Sequence, residues 1–391
     1  MNSTINDYFN ELRPEMESWR HELHRHPELA YREYRTADFL AEHLQAFGYQ
    51  PARGIGGTGI VATLDRGDGP CIALRTDMDA LPIQEEADVP YASTKDGIMH
   101  ACGHDGHMTM LLAAARYLQE HGGPTGKIHF VFQPAEEGEA GARAMIEDGL
   151  FRDFDIDEVY GLHNWPGLQT GSFAARVGPQ MAAFDVFEIT LRGQGAHAAM
   201  PHRGQDVLSA AANLQMQLQT IVSRSLDPLD AGVVSVTEMH GGDTWNVLPS
   251  HAVLRGCTRH LSAATQDLIE QRILEICNGI ARSFALDVRL HYDRRYPATV
   301  NTSQETATAL LAARDTTGTE ALAEEPPSMA SEDFSFMLGE KPGCFIWLGT
   351  GLPDPGCVLH SPTYRFNDDV LATGAAYWVN LVKRRLASSS A

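Results

Sequence analysis

The sequence predicts an α/β protein whose larger domain, built on a largely parallel sheet, is interrupted by a small α+β domain. Three observations carry this expectation. Short apolar runs alternate with helical patterns from Gly59 to His163, the rhythm of βαβ units. Residues 184–292 then read as β-α-β-β-α-β, the ferredoxin-like order. The length, 391 residues, exceeds what one hydrophobic core usually serves.

Residues 6–47 show apolar residues at helical spacing, broken at Pro27. Runs at 59–64 and 71–75 predict strands, and 109–119 predicts an Ala/Leu-rich helix. A strand at 127–132, a helix at 141–148 and a strand at 159–163 follow. In the interrupting segment, strands are expected at 184–191, 233–238, 251–258 and 286–292, with helices at 206–224 and 264–284. After Pro297 the chain returns to helix, loop and strand and ends in an amphipathic helix at 369–386. The expected domains are 1–181 and 295–391, together one catalytic α/β domain, with 182–294 inserted between them.

Hydrophobic residues make up 43% and charged residues 21% of the chain, so it can bury a core and disorder is expected only at the ends. The formal charge of −21 repels phosphate backbones and anionic lipid, which argues against nucleic acid and membrane partners. No apolar run is long enough to span a bilayer. The N-terminal stretch lacks an apolar signal core, so the cytoplasm is the expected location. The six cysteines, at 71, 102, 257, 277, 344 and 357, form no CxxC and read as free thiols. Five lie among apolar or turn residues, whereas Cys102 lies among histidines.

Several familiar motifs fail. Gly54, Gly56 and Gly59 spell GxGxxG, but they precede a strand instead of following one, so they read as a turn. His21-Glu22-Leu23-His24 has i, i+3 spacing and is not HExxH. No GxSxG elbow and no P-loop occurs, which leaves serine hydrolases and NTPases without support.

The chemistry concentrates at strand ends. His100-Ala-Cys102-Gly-His104-Asp105-Gly-His107 packs three imidazoles, a thiol and a carboxylate just before a helix, a dense set of metal-ligand types. Any one of these histidines alone would read as a satisfied core residue. Asp77-Met-Asp79 follows a strand, and its i, i+2 carboxylates project to one side, although an exposed strand end would look the same. Glu136 and Glu137 follow another strand. Adjacent carboxylates repel, but a metal site gives them separate roles, one as ligand and one as general base. His163 ends a further strand and His360 lies far downstream.

With these stretches in view, the chain resembles the M20 family of metallopeptidases and amidohydrolases. The resemblance is to the branch of hippurate hydrolases, aminoacylases and auxin-conjugate hydrolases. It runs from about His21 to Trp378 and rests on RHELHRHPELAYRE, TDMDALPIQE, MHACGHDGHM, FQPAEEGEAGARAM, GLHNWPG, GQGAHAAMPHRGQDV, NVLP and SEDFS, in that order. The cysteine in HACGHD marks this branch, since other branches carry an aspartate there. The resemblance implies metal ligands Cys102, His104, Glu137, His163 and His360, with Cys102 bridging two divalent ions (Zn, Mn, Co or Ni). It implies Glu136 as general base on metal-activated water, and Asn246 and Arg259 as binders of the substrate carboxylate. It implies that the inserted domain is a dimerisation and lid domain, and that His197 reaches the partner's site in a homodimer or tetramer. His21, His24 and His26 belong to a family motif for which a structural role is expected. The implied activity is hydrolysis of the amide bond of a small N-acyl amino acid, such as an N-acetyl amino acid or a hippurate-like substrate. A dipeptidase or carboxypeptidase on the same scaffold and a non-catalytic metal- or ligand-binding homologue are the alternatives.

Overall fold

The computed structural model describes residues 2–351 and 358–387, with side chains from residue 5 onward. Cys357 and the Ser389-Ser390 tail lie outside the described residues. The chain forms two compact units. One comprises Met1–Gln180, Val300–Pro326 and Asp333–Ala391, and the other Met181–Thr299 with Pro327–Glu332. The short return segment Pro327–Glu332 carries no sequence pattern that would mark it.

The first unit holds a seven-stranded sheet in the order Ala52–Ile55, Gly59–Asp65, Lys127–Gln133, Cys71–Asp77, Glu158–Trp165, Gly343–Gly349, Phe173–Ala174. The four strands from Lys127–Gln133 to Gly343–Gly349 are mutually parallel. The outer three pair antiparallel. The parallel strands are apolar because they are covered on both faces. Every residue of Cys71–Asp77 and Gly343–Gly349 is buried. Gly54 sits at a bulge in Ala52–Ile55 and Gly56 in the turn that leads to Gly59–Asp65, so the GxGxxG is part of a hairpin. The helices Asn2–Arg25, His104–His121 and Leu371–Ala387 pack on one another, and His104–His121 lies against Cys71–Asp77.

The helix predicted at 109–119 begins at His104, so two of the cluster's histidines occupy its first turn. Its N-cap is Gly103, at φ 92°. A Cβ there would lie 2.3 Å from Asn164 Oδ1, so both the conformation and the space require glycine.

The second unit has a four-stranded sheet in the order Gly232–His240, His251–His260, Ala183–Arg192, Asp287–Tyr296, antiparallel throughout. With the helices Val207–Leu218 and Ala263–Phe284 this is the β-α-β-β-α-β arrangement. The helix expected at 206–224 ends at Leu218, and a π-helical turn, Ile221–Ser225, follows. Its start is fixed by Asp206, whose carboxylate accepts from the backbone N–H groups of Leu208 and Ser209, an N-cap worth about 1 kcal/mol. Phe187, Ile189, Ala210, Leu214, Ile269 and Ile273 build a core separate from that of the first unit. No helix among the described residues is long and apolar enough to cross a membrane.

Candidate metal centre

Parallel strands end on the same edge, and in open α/β sheets that edge is where ligands bind. Asp77 ends one central strand and aligns with Gln133, the last residue of the next. The turn carrying Glu136 and Glu137 follows Gln133. His163 lies near the end of Glu158–Trp165. Cys102 lies just before the helix that begins at His104. Backbone pairing of His360 N with Ala101 O at 2.8 Å brings the distant C-terminal histidine beside Cys102.

The five residues implied as ligands therefore lie together. Donor atoms of Cys102, Glu137 and His360 fall within 4.8 Å of one another, as do those of His104, Glu136 and Glu137. His163 Nε2 is 3.4 Å from Cys102 Sγ, and His360 Nε2 is 3.3 Å from Glu137 Oε1. Donor atoms of Asp77, His104, His107 and His163 likewise lie within 4.8 Å of one another.

The surroundings suit cations. His104 Nε2 and Glu137 Oε1 are buried without a hydrogen-bond partner among the described residues, which is costly unless something else satisfies them. Burial first, then the charges of Glu137, Glu136 and Asp77, push the Cys102 thiol well above its usual value. Only a strong local positive charge would release that proton. Burial opposes charge on His104, but Asp77 and Asp79 outweigh it and raise the imidazole to about 10. A field that favours a proton on His104 also favours a divalent ion in its place. His163 is pushed well below its usual value by burial and by His107, so its imidazole is neutral, as a ligand must be. The donor set of thiolate, imidazole and carboxylate suits Zn, Mn, Co or Ni. The residues present thus fit a pair of divalent ions.

A supporting layer fixes the donors. Asp79 accepts from Glu136 N at 3.0 Å and Glu137 N at 2.9 Å, and its backbone oxygen accepts from His104 Nδ1 at 2.8 Å. That bond leaves His104 Nε2 facing the cluster. Glu33 accepts from Ala135 N at 2.9 Å and from Thr58 Oγ1 at 2.6 Å, holding a turn in which Ala135 has φ 54°. Burial raises the Glu33 carboxyl to about 7. Each such hydrogen bond is worth roughly 0.5–1.5 kcal/mol to a neutral acceptor and more to an ionised one, and together they hold the turn. Asp333 joins the same frame, bonding Arg75 Nη2 at 2.9 Å and Ala142 N at 2.8 Å. Its own N–H lies 3.4 Å from Glu136 Oε1.

The remaining histidines of the cluster differ. His107 engages Asp77 Oδ1 at 2.8 Å and Asn164 Oδ1 at 2.6 Å, so both of its nitrogens are used by protein. Burial lowers the imidazole of His100 to about 4. His24 bridges Asp105 Oδ2 at 2.8 Å and Glu85 Oε1 at 3.1 Å. Arg20 Nη1 also reaches Asp105, at 3.0 Å. His21 stacks on Tyr91 and bonds Asp368, and His26 lies near Glu22. Arg20 and His24 thereby tie the first helix to the first turn of the helix that begins at His104.

The other three predicted site residues lie in the second unit. His197 is exposed, pairs with Val247 across a two-residue ladder and accepts from Ala199 N at 3.1 Å. Asn246 is its near neighbour, its carbonyl accepting from Ala198 N at 2.9 Å. Arg259 is half-buried, donates to Ser331 Oγ at 2.7 Å and lies 4.1 Å over the Phe184 ring.

Sequence reasoning left Glu33, Arg75 and Asp333 unassigned and gave Asp77, Asp79 and His107 no role. The paired aspartates at a strand end were the available signal. Glu33 acts on a backbone N–H, which leaves no residue pattern.

The comparisons bear on this geometry. The model of peptidase family M20/M25/M40 matches residues 73–384. The chain belongs to that family. A hippurate hydrolase of Campylobacter jejuni is 39% identical over 96% of this chain and 98% of its own length. An N-acetyl-L-cysteine deacetylase of Bacillus subtilis is 38% identical over 95% of this chain and 88% of its own. A crystal structure of a dinuclear metal binding peptidase of the M20 family, from Bacillus subtilis, superposes with a TM-score of 0.86 at 30% identity. It covers 97% of this chain and 99% of that one. The α/β fold of this family member and its cluster of metal-binding side chains agree with the sequence-based reading.

Proposed function

We propose that this chain is a metal-dependent amidohydrolase that cleaves the amide bond of small N-acyl amino acids. The observation that carries the reading is the placement of two adjacent carboxylates of one turn beside the clustered thiol and imidazoles. Glu137 shares a cluster with Cys102 and His360, while Glu136 lies beside it, buried and next to His104. The relatives named as a hippurate hydrolase and an N-acetyl-L-cysteine deacetylase support the substrate class.

Cys102, His104, Glu137, His163 and His360 would hold the two divalent ions. When bound, such ions supply Lewis-acid activation of water and of the scissile carbonyl. Glu136 takes the proton of the attacking water and returns it to the leaving amine nitrogen, as one general base and acid. Asp79 and Glu33 keep Glu136 in place by fixing the backbone on either side of it. Asn246 and Arg259 bind the substrate carboxylate, for which a planar guanidinium is suited. The enzyme acts in the cytoplasm as a homodimer, and His197 donates to the developing oxyanion in the partner's site.

Assays of N-acetyl amino acids, hippurate and dipeptides side by side test the reading. Turnover of the first two is expected, and turnover of dipeptides alone would overturn it in favour of a peptidase. Arg259→Ala is expected to raise KM at least about tenfold, from the ~1.5–3 kcal/mol of a charged hydrogen bond. This should hold for N-acyl amino acids and not for their amides; equal changes in both would remove Arg259 from the carboxylate site. For His197, mixing inactive His197→Ala with inactive Glu136→Gln is expected to restore activity, because one site of each mixed dimer keeps both residues. Exchange of subunits without recovery would show that His197 does not act across an interface.

A further inference from the structure

A cavity of about 430 Å³ opens beside the metal centre, within the first unit. Leu29 and Ala30 line it together with Leu81 and Pro82. These two chain segments are joined where Ala80 N donates to Glu28 O at 2.8 Å. Tyr31 lines it too, held at φ 57° with its hydroxyl donating to Glu139 O at 2.9 Å. Glu137 completes the lining, and Glu137 is also a member of the cluster with Cys102 and His360. The cavity therefore adjoins the place where the scissile amide must lie.

A substrate with its amide at that cluster has two ends to accommodate. One bears the free α-carboxylate of the amino acid, and the other is the uncharged acyl group. Glu137 and Glu139 are both on the cavity wall, and Arg32, its one cation, is exposed. An anion among Leu29, Ala30, Leu81 and Pro82 would face the carboxylates of Glu137 and Glu139, with only the exposed Arg32 to offset them. The neutral acyl end suffers no such penalty. An acetyl methyl is about the size of a water molecule, ~30 Å³, and would leave most of the cavity unfilled. Pockets of this size bury much larger organic groups.

We propose that this cavity is the acyl subsite and that it selects large apolar acyl groups, aromatic or branched, over acetyl. The proposal rests on the amidohydrolase reading and names which half of the substrate sets specificity. Leu81 and Ala30 are the residues that set its depth.

The test compares N-benzoylglycine with N-acetylglycine on metal-loaded wild type, Leu81→Trp and Ala30→Phe. Wild type is expected to favour the benzoyl substrate in kcat/KM by more than about tenfold. Each filling variant is expected to cut that ratio by about tenfold or more, the scale on which apolar pockets discriminate size. Two variants at different points of the wall guard against one misfolding, and thermal melts identify a variant that does. A second readout is independent of turnover. Calorimetry on Glu136→Gln should detect N-benzoylglycine, and adding Leu81→Trp should weaken its Kd by a similar factor. If wild type cleaves both substrates but the ratio is unchanged in both variants, the cavity is not the acyl subsite. A wild-type preference for acetyl overturns it as well. If wild type cleaves neither substrate, the amidohydrolase reading fails first and the subsite falls with it.

Discussion

Glu136→Gln is expected to lower kcat by about 10²–10⁴, the range of general acid–base contributions, with bound metal unchanged. The substitution removes the basicity and leaves the backbone bond that places the residue intact. The position of Glu136 is set through its backbone, whose N–H is held by Asp79 at 3.0 Å. Its Oε1 lies 3.4 Å from Asp333 N, and a glutamine oxygen can accept from the same donor. Glutamine has the same shape, so the buried side chain leaves no cavity. What it cannot do is take a proton from water and return it to an amine. The check is kcat alongside metal content by elemental analysis. A variant that holds its metal and turns over at a near-normal rate would remove Glu136 from the mechanism. Loss of metal together with activity would instead make it a ligand.

The roles proposed for Glu136 and Glu137 show what the sequence could and could not reveal. The residue types in HACGHDGH, the paired aspartates of TDMD and the adjacent glutamates each follow a predicted strand or precede a predicted helix. Ligand chemistry repeated at such positions marks an edge of a sheet even when the strands' order is unknown. The central strands were readable because they are continuous apolar runs. Ala52–Ile55 and Phe173–Ala174 were not, since strands of four and two residues are too short to show a period. The start of the helix at His104 was hidden for another reason. Its first turn reads His-Asp-Gly-His, yet it is buried because Asp79, His24, Arg20, Asp77 and Asn164 supply polar partners for its side chains. Local hydrophobic pattern fails where burial is driven by polar partners.

The supporting layer was hidden more deeply. Asp79 accepts two backbone N–H groups and, through its own carbonyl, orients His104. Glu33 does the same for Ala135 from a segment far away in the chain. Such bonds depend on where the backbone runs, and a backbone N–H is present at nearly every position, so no residue at 135–137 announces its partner. The same holds for Pro327–Glu332, whose place in the second unit is a matter of chain path and not of composition. The cavity at Leu29 and Leu81 is hidden likewise, because it exists only once the two segments are joined.

Cys102→Ala is expected to lose metal and activity together. Replacing an outer partner of a ligand typically weakens metal binding by ~10–100-fold, and removing a ligand proposed to serve two ions should exceed that. The surroundings of Cys102 give the experiment a second, sharper readout. Burial and the charges of Glu137, Glu136 and Asp77 hold the thiol well above its usual value, so without metal it carries its proton at neutral pH. A ligating thiolate must give that proton up, and metal affinity therefore falls as pH is lowered. Titrating metal into the metal-free wild type in buffers of different ionisation enthalpy counts the protons released. Wild type should release about one proton more than Cys102→Ala at the same metal loading, as ligation by a thiolate requires. Alanine also leaves a small void where the sulfur was, so a thermal melt of the metal-free variant separates a packing defect from a lost ligand. If Cys102→Ala takes up two ions with wild-type affinity and the same proton release, the thiol is a packing residue and the ions are held by His104, Glu137, His163 and His360 without it.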